Sequence, residues 1–136
     1  MGFSTQHAAI RARFAAAWNA TAAPVAWPNV AFTPPVALHY VRFYIVDAES
    51  NQRTIGDPDG RNQYRSYGLI VAQIYALDGT GDNAALALAD TAAAIFRNAR
   101  FSGVWALTPK IITVGAVDAG RYQINVTIPF QRDEVL

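Results

Sequence analysis

The chain opens on a helical period. Ile10, Phe14, Ala17 and Trp18 recur at spacings of three and four through an Ala-rich stretch, which predicts a helix from a Ser4 cap to about Asn19 with one apolar face. Pro24, Pro28, Pro34 and Pro35 then forbid regular helix, because proline lacks the backbone donor and restricts the residue before it. Thr21 to Pro35 is therefore expected to cross the molecule as an irregular, extended segment held by Trp27, Val30 and Phe32. From Ala37 to Asp47 the period drops to two. Val41, Phe43 and Ile45 face a core, while Tyr40, Arg42 and Tyr44 form a second, partly covered face.

Between Ala48 and Gln63 every residue except Ile55 is polar, small or a turn former, and Gly56-Asp57-Pro58-Asp59-Gly60 is the strongest turn signal in the chain. A long exposed loop is expected there. Tyr64 to Leu77 resumes as a long strand, with Ile70, Ala72, Ile74 and Ala76 on one face and Tyr67, Leu69, Val71, Gln73 and Tyr75 on the other. The two strands pair as a hairpin. Asp78-Gly79-Thr80-Gly81 breaks the second strand, and Asp82 is placed to cap a helix whose wide apolar stripe holds Leu86, Ala89, Ala93 and Phe96, flanked by Leu88, Ala92 and Ile95. That helix ends near Arg97 to Arg100, where cations suit a C-terminus.

The remainder returns to strand: Phe101 to Leu107, a break at Thr108-Pro109, Lys110 to Val117, a turn at Asp118-Ala119-Gly120, and Arg121 to Phe130. In the last segment Tyr122, Ile124, Val126, Ile128 and Phe130 alternate with Arg121, Gln123, Asn125 and Thr127, giving one buried and one polar face. Pro129, which cannot donate to a ladder, marks the strand's end or an edge. The order predicts an α+β fold: a largely antiparallel sheet with a long β-hairpin, packed against two α-helices, in a single domain over 1–136. Its core is assigned to Phe14, Trp18, Leu88, Phe96, Ile124 and Ile128.

Composition narrows the function. Eleven basic residues against ten acidic ones leave a net charge of +1, too little for the field that draws proteins to nucleic acid or anionic lipid. No apolar run approaches the roughly 20 residues of a membrane helix, and the first residues lack the pattern of a signal peptide. The absence of cysteine excludes disulfides, thiolate metal sites and cysteine nucleophiles. All basic residues but Lys110 are Arg, which suits planar, multi-donor contacts between proteins and is also what GC-rich coding produces.

Catalysis finds little to work with. His7 and His39 have no His, Glu or Asp at ligand spacing, so no metal site or acid–base pair assembles locally. Asp57-Pro58-Asp59-Gly60 alternates oxygen ligands ahead of a glycine but lacks the downstream carboxylates and flanking helices of a calcium loop. Asp78-Gly79-Thr80-Gly81 has neither ending nor spacing of a phosphate loop. The aromatic residues sit in phase with Leu, Ile and Val, as packing residues do, rather than with basic residues. No catalytic residue, cofactor or metal is expected.

Four stretches in order carry a resemblance: the N-terminal helix with Ile10-Arg11; Trp27-Pro28-Asn29-Val30-Ala31-Phe32-Thr33-Pro34-Pro35; Tyr75-Ala76-Leu77-Asp78-Gly79-Thr80-Gly81 leading into an Ala-rich helix; and Gly120-Arg121-Tyr122-Gln123-Ile124-Asn125-Val126-Thr127-Ile128-Pro129-Phe130. Read together over nearly the whole chain, they resemble the phage tail terminator-like proteins of long-tailed phages. The resemblance implies a structural virion protein and no enzyme: a hexameric ring at the head-proximal end of the tail, assembled in the host cytoplasm, that caps the tail tube, stops its polymerisation and joins it to the head. Implied partners are further copies of the chain, the tail tube protein and the head–tail connector, with DNA only passing through the lumen and no membrane. Another neck or tail component, such as a tube or head-completion protein, is the alternative in the same class, and a small ligand-binding domain the alternative outside it. The contact expected to carry assembly is the 48–63 loop, with Arg53, Asp57, Asp59 and Arg61, and the following Arg65. Long loops are usually functional or disordered, and mixed charges suit complementary pairing.

Overall fold

The computed structural model describes residues 2–21, 23–36, 38–55, 62–77, 79, 81–117 and 120–135. Helix α1 spans Phe3–Trp18 and α2 spans Asn83–Phe96. The strands are β1 Val25–Ala26, β2 Tyr40–Gln52, β3 Gln63–Leu77, β4 Arg100–Phe101, β5 Val104–Ala106, β6 Lys110–Val117 and β7 Arg121–Val135. Among the described residues they form one seven-stranded sheet, ordered β1-β2-β3-β7-β5-β4, with β6 also on β7. Every pairing is antiparallel except β1 with β2. The α+β fold with a long hairpin and two helices is thus the one observed.

Register explains the core. Across β2, β3 and β7 the rows Val41–Ile74–Ile124, Phe43–Ala72–Val126 and Ile45–Ile70–Ile128 lie side by side, and nearly all of these side chains are buried. Ile10, Phe14 and Trp18 of α1, with Ala85, Ala89, Ala92, Ala93 and Phe96 of α2, are buried in the same cluster. Phe14 is its centre: its ring stacks on Phe43 at 4.2 Å and Trp18 at 5.1 Å, and lies parallel to Phe96 at 6.2 Å. Such offset pairs add to the burial of aromatic area. The alanines of α2 let that helix sit close to the sheet. Of the six assigned core residues all but Leu88 are fully buried; Leu88 is partly buried against the cluster, as is Leu86.

Several local expectations change. Helix α1 starts two residues earlier than a Ser4 cap allows: Gly2 is the N-cap and makes no side-chain cap bond. Its carbonyl accepts the first backbone bond of the helix from Gln6 N–H at 3.1 Å and a second bond from Arg132, whose Nη1 donates at 2.9 Å. Asp82 does occupy the N-cap of α2, but without a side-chain hydrogen bond. Ala17 is exposed, since the buried face of α1 is the narrow stripe Gln6–Ile10–Phe14–Trp18. The proline-rich crossing contributes β1, whose neighbour Pro24 accepts Val41 N–H at 3.0 Å, and Val30 is 60% exposed rather than holding the segment down. Phe32 does hold it, packed on Tyr40 at 5.3 Å.

The largest difference is length. β2 continues through Gln52, β3 begins at Gln63 and β7 runs through Val135, so residues 48–52 and 63 of the expected loop are strand. Pro129 lies inside β7, opposite Leu69. Its carbonyl accepts Leu107 N–H at 2.8 Å on the side away from β3. Its ring nitrogen faces that same side, where β6 has ended at Lys110–Thr127 and β5 pairs only from Phe130. A missing donor costs the ladder nothing there. Arg121, placed by alternation on a polar face, is buried: its guanidinium donates to the carbonyls of Leu38 and Pro35 and lies 5.0 Å over the Tyr40 ring. It fastens the crossing segment to the helix-free face.

Candidate functional site: the hairpin arm

Beyond the helices the sheet becomes a polar arm. The helix-face rows continue as Asp47–Gly68–Phe130, Ser50–Ser66–Arg132 and Gln52–Tyr64–Glu134, with a bulge between Asp47 and Glu49. At the base, Phe130 covers Gly68. A Cβ on Gly68 would meet the Phe130 ring at 2.6 Å and Val46 O at 2.5 Å, so the ring takes the space a side chain needs. The N-terminal turn of α1 sits on this base. Asp47 accepts from Gln6 Nε2 at 3.2 Å and pairs with His7 Nε2 at 3.0 Å, while buried Arg132 holds Gly2 from β7.

Further out the strands are fastened by short polar bonds. Ser66 Oγ donates to Ser50 Oγ at 3.3 Å, Tyr64 Oη to Gln52 Oε1 at 3.2 Å, and Gln52 Nε2 to Thr54 O at 2.6 Å. Thr54 Oγ1 accepts Gln63 N–H at 2.7 Å, closing the neck of the loop. On the opposite face Arg65 makes a two-pronged pair with Asp133, Nε to Oδ1 at 2.6 Å and Nη2 to Oδ2 at 3.0 Å. This fork geometry is the favourable form of an Arg–carboxylate pair. Hydrogen bonding to Asp133 first, then to Tyr67, raises the Arg65 pKa further. Arg65 in turn holds the Asp133 carboxyl below its ordinary range, against a smaller opposing push from desolvation.

The predicted contact residues therefore separate. Arg53 is exposed at the end of the arm, next to Thr54 and the exposed Ile55. Arg65 is a strut within the arm, its guanidinium occupied by Asp133. Asp57, Asp59 and Arg61 lie outside the described residues. Sequence reasoning missed Arg121, Arg132 and Asp133. The one available signal was phase: Arg132 and Glu134 continue the buried series of Ile124, Ile128 and Phe130 by steps of two.

Both histidines are engaged within the fold. His39 Nδ1 accepts Leu77 N–H at 3.0 Å, and His7 is engaged by Asp47. Among the described residues no three His, Cys, Asp or Glu side chains gather as a metal site. No helix among them is long and apolar enough to cross a membrane.

The described residues form a two-helix, seven-stranded α+β unit whose hairpin ends in a polar arm. The profile of the family described as "Phage tail terminator protein" matches residues 6–130, and the chain belongs to that family. It is a structural component of a phage tail. A solved structure whose name conveys no function is 25% identical, with a TM-score of 0.62 over 90% of this chain and 92% of that one. No curated protein matches.

Proposed function

We propose that the protein is a tail terminator acting as one domain. Copies close into a ring, a hexamer to match a six-fold tube, on the head-proximal end of the tail. There the ring stops tube polymerisation, offers a surface to the head–tail connector and lets DNA through its lumen without catalysis. Family membership over residues 6–130 carries this reading. A net charge of +1 suits a lumen through which DNA slides without adhering, and a stiffened arm ending in the exposed Arg53 suits a head-to-tail contact between identical subunits. In this reading Arg53, Asp57, Asp59 and Arg61 meet a neighbouring subunit or the tube, and Arg65 keeps the arm straight through Asp133.

The test is a phage in which Arg53, Asp57, Asp59 and Arg61 are all replaced by Ser. The purified variant should melt within about 2 °C of the parent, since exposed substitutions shift stability little, while electron micrographs show tails of uncontrolled length or unjoined heads. Normal tails at normal yield would remove the arm from assembly. Light scattering that finds only monomer, even with tail tubes present, would overturn the ring.

A further inference from the structure

The exposed Ile55 has a counterpart elsewhere on the molecule. Between α2 and the start of β2 lies an open groove of about 410 Å³ lined by Thr21, Ala23, Leu38, Ala84, Ala87 and Leu88, with His39 and Thr91 at its edges. Its polar groups are largely occupied. Thr91 Oγ1 donates to Ala87 O, Thr21 Oγ1 donates to Trp18 O and accepts Ala23 N–H, and His39 Nδ1 accepts Leu77 N–H. What remains is mostly hydrocarbon, including Leu38 at 53% exposure. Small residues at Ala84 and Ala87, one helical step of three apart, leave room for one branched aliphatic side chain.

Ile55 is such a side chain, 88% exposed in an otherwise polar stretch. The charges beside the two features are opposite. Arg53 is exposed two residues before Ile55, and exposed Asp90 lies one turn beyond Ala87 on α2, with Asp82 exposed at that helix's start. Ile55 cannot reach its own groove. The 13 residues of β2 separate them, which at about 3.3 Å per residue is roughly 40 Å. A knob and a groove held at opposite ends of one rigid sheet meet only between molecules.

We infer that in the assembled ring the arm of one subunit seats Ile55 in the Leu38–Ala84–Ala87–Leu88 groove of the next copy of this chain, with Arg53 facing Asp90. This rests on the ring reading and names the surface that closes it. The contact is heterologous: each subunit gives an arm and receives one.

The absence of native cysteine makes a clean test possible. The variant with Ile55→Cys and Ala87→Cys, oxidised with tail tubes present, should give a denaturing-gel ladder extending past dimer to the number of subunits in the ring. A control with Ile55→Cys and Ala94→Cys, the latter two helical turns or about 10 Å from Ala87 along α2 and outside the groove, should give none. Arg53→Glu and Asp90→Arg should each lower ring formation by about tenfold, and combining them should restore it to within about threefold of the parent. A ladder that stops at dimer means reciprocal exchange and overturns the head-to-tail contact. Cross-linking to the tube protein instead makes that protein the groove's occupant and equally overturns it. Rings visible in micrographs without any ladder, and still formed by Ala87→Trp, sink this contact while the ring stands. Monomer under every condition sinks both.

Discussion

The two ends of the same hairpin are held together by different physics. Near Val41 and Ile74 the strands are locked by what lies above them, the Phe14, Trp18 and Phe96 rings and the alanines of α2. Near Asn51 and Arg65 they are locked by each other, through ladder bonds, the Ser50–Ser66 contact and the Arg65–Asp133 fork. Burial acts without direction and scales with area. Polar fastening depends on geometry and competes with water. In the proposed ring, a domain that must remain folded yet present a stiff arm to other subunits would benefit from having one of each.

The comparison breaks most sharply at the covered end. Phe96→Ala or Trp18→Ala should lower the unfolding free energy by about 3–5 kcal/mol, read from denaturant melts. A loss below about 1 kcal/mol would contradict full burial of either ring. At the junction, Gly68→Val should cost about 1–3 kcal/mol, because its side chain enters the space of the Phe130 ring and Val46 O. Hydrogen exchange in this variant should quicken on the arm more than in the Val41–Ile74 region. Replacing Arg121 by Ala should cost roughly 1.5–3 kcal/mol, the usual range for a hydrogen bond to a charged group. Protease sensitivity should then rise between Val30 and Leu38, the segment it fastens.

The smallest effect is expected on the arm and is read by pH. Asp133 is lowered from its ordinary value of 3.8 by its bond to Arg65. A carboxyl depressed in the folded state contributes stability above its unfolded pKa and loses it as pH falls through the folded value. The pair should therefore support the arm at neutral pH and fail only below about pH 4. Asp133→Asn should remove that part of the acid dependence and leave the rest of the melting curve unchanged. If the parent and Asp133→Asn lose stability identically between about pH 4 and pH 2, the fork contributes nothing in solution.

Periodicity along the chain carried most of the fold. The helix stripe through Ile10, Phe14 and Trp18, the alternation in Ile70–Ala76 and Ile124–Phe130, and the Ala-rich second helix are local patterns, and each appears as an element with the expected buried face. Polar alternation is weaker evidence, because a residue such as Glu49 or Ser50 reads equally as loop or as strand. The extension of β2 past Asp47 was therefore invisible until β3 lay beside it. Pro129 was misleading for a related reason: its cost depends on whether anything pairs with its nitrogen's side, and that is set by where β5 and β6 stop.

The residues of the arm divide along the same line. Arg53 and Ile55 stood out in the sequence, as a charge and an aliphatic in a turn-rich stretch, and both are exposed. That Arg65 faces Asp133, 68 residues away, depends on the β3–β7 register. That Arg121 and Arg132 are buried depends on the backbone carbonyls of Pro35, Leu38 and Gly2 that the fold brings to them. The sequence by itself determined which faces turn inward, because burial of apolar area follows a period fixed by backbone geometry. Only the tertiary structure decided which charges are partners, because a hydrogen bond needs its acceptor within about 3 Å, and no local pattern brings distant segments that close.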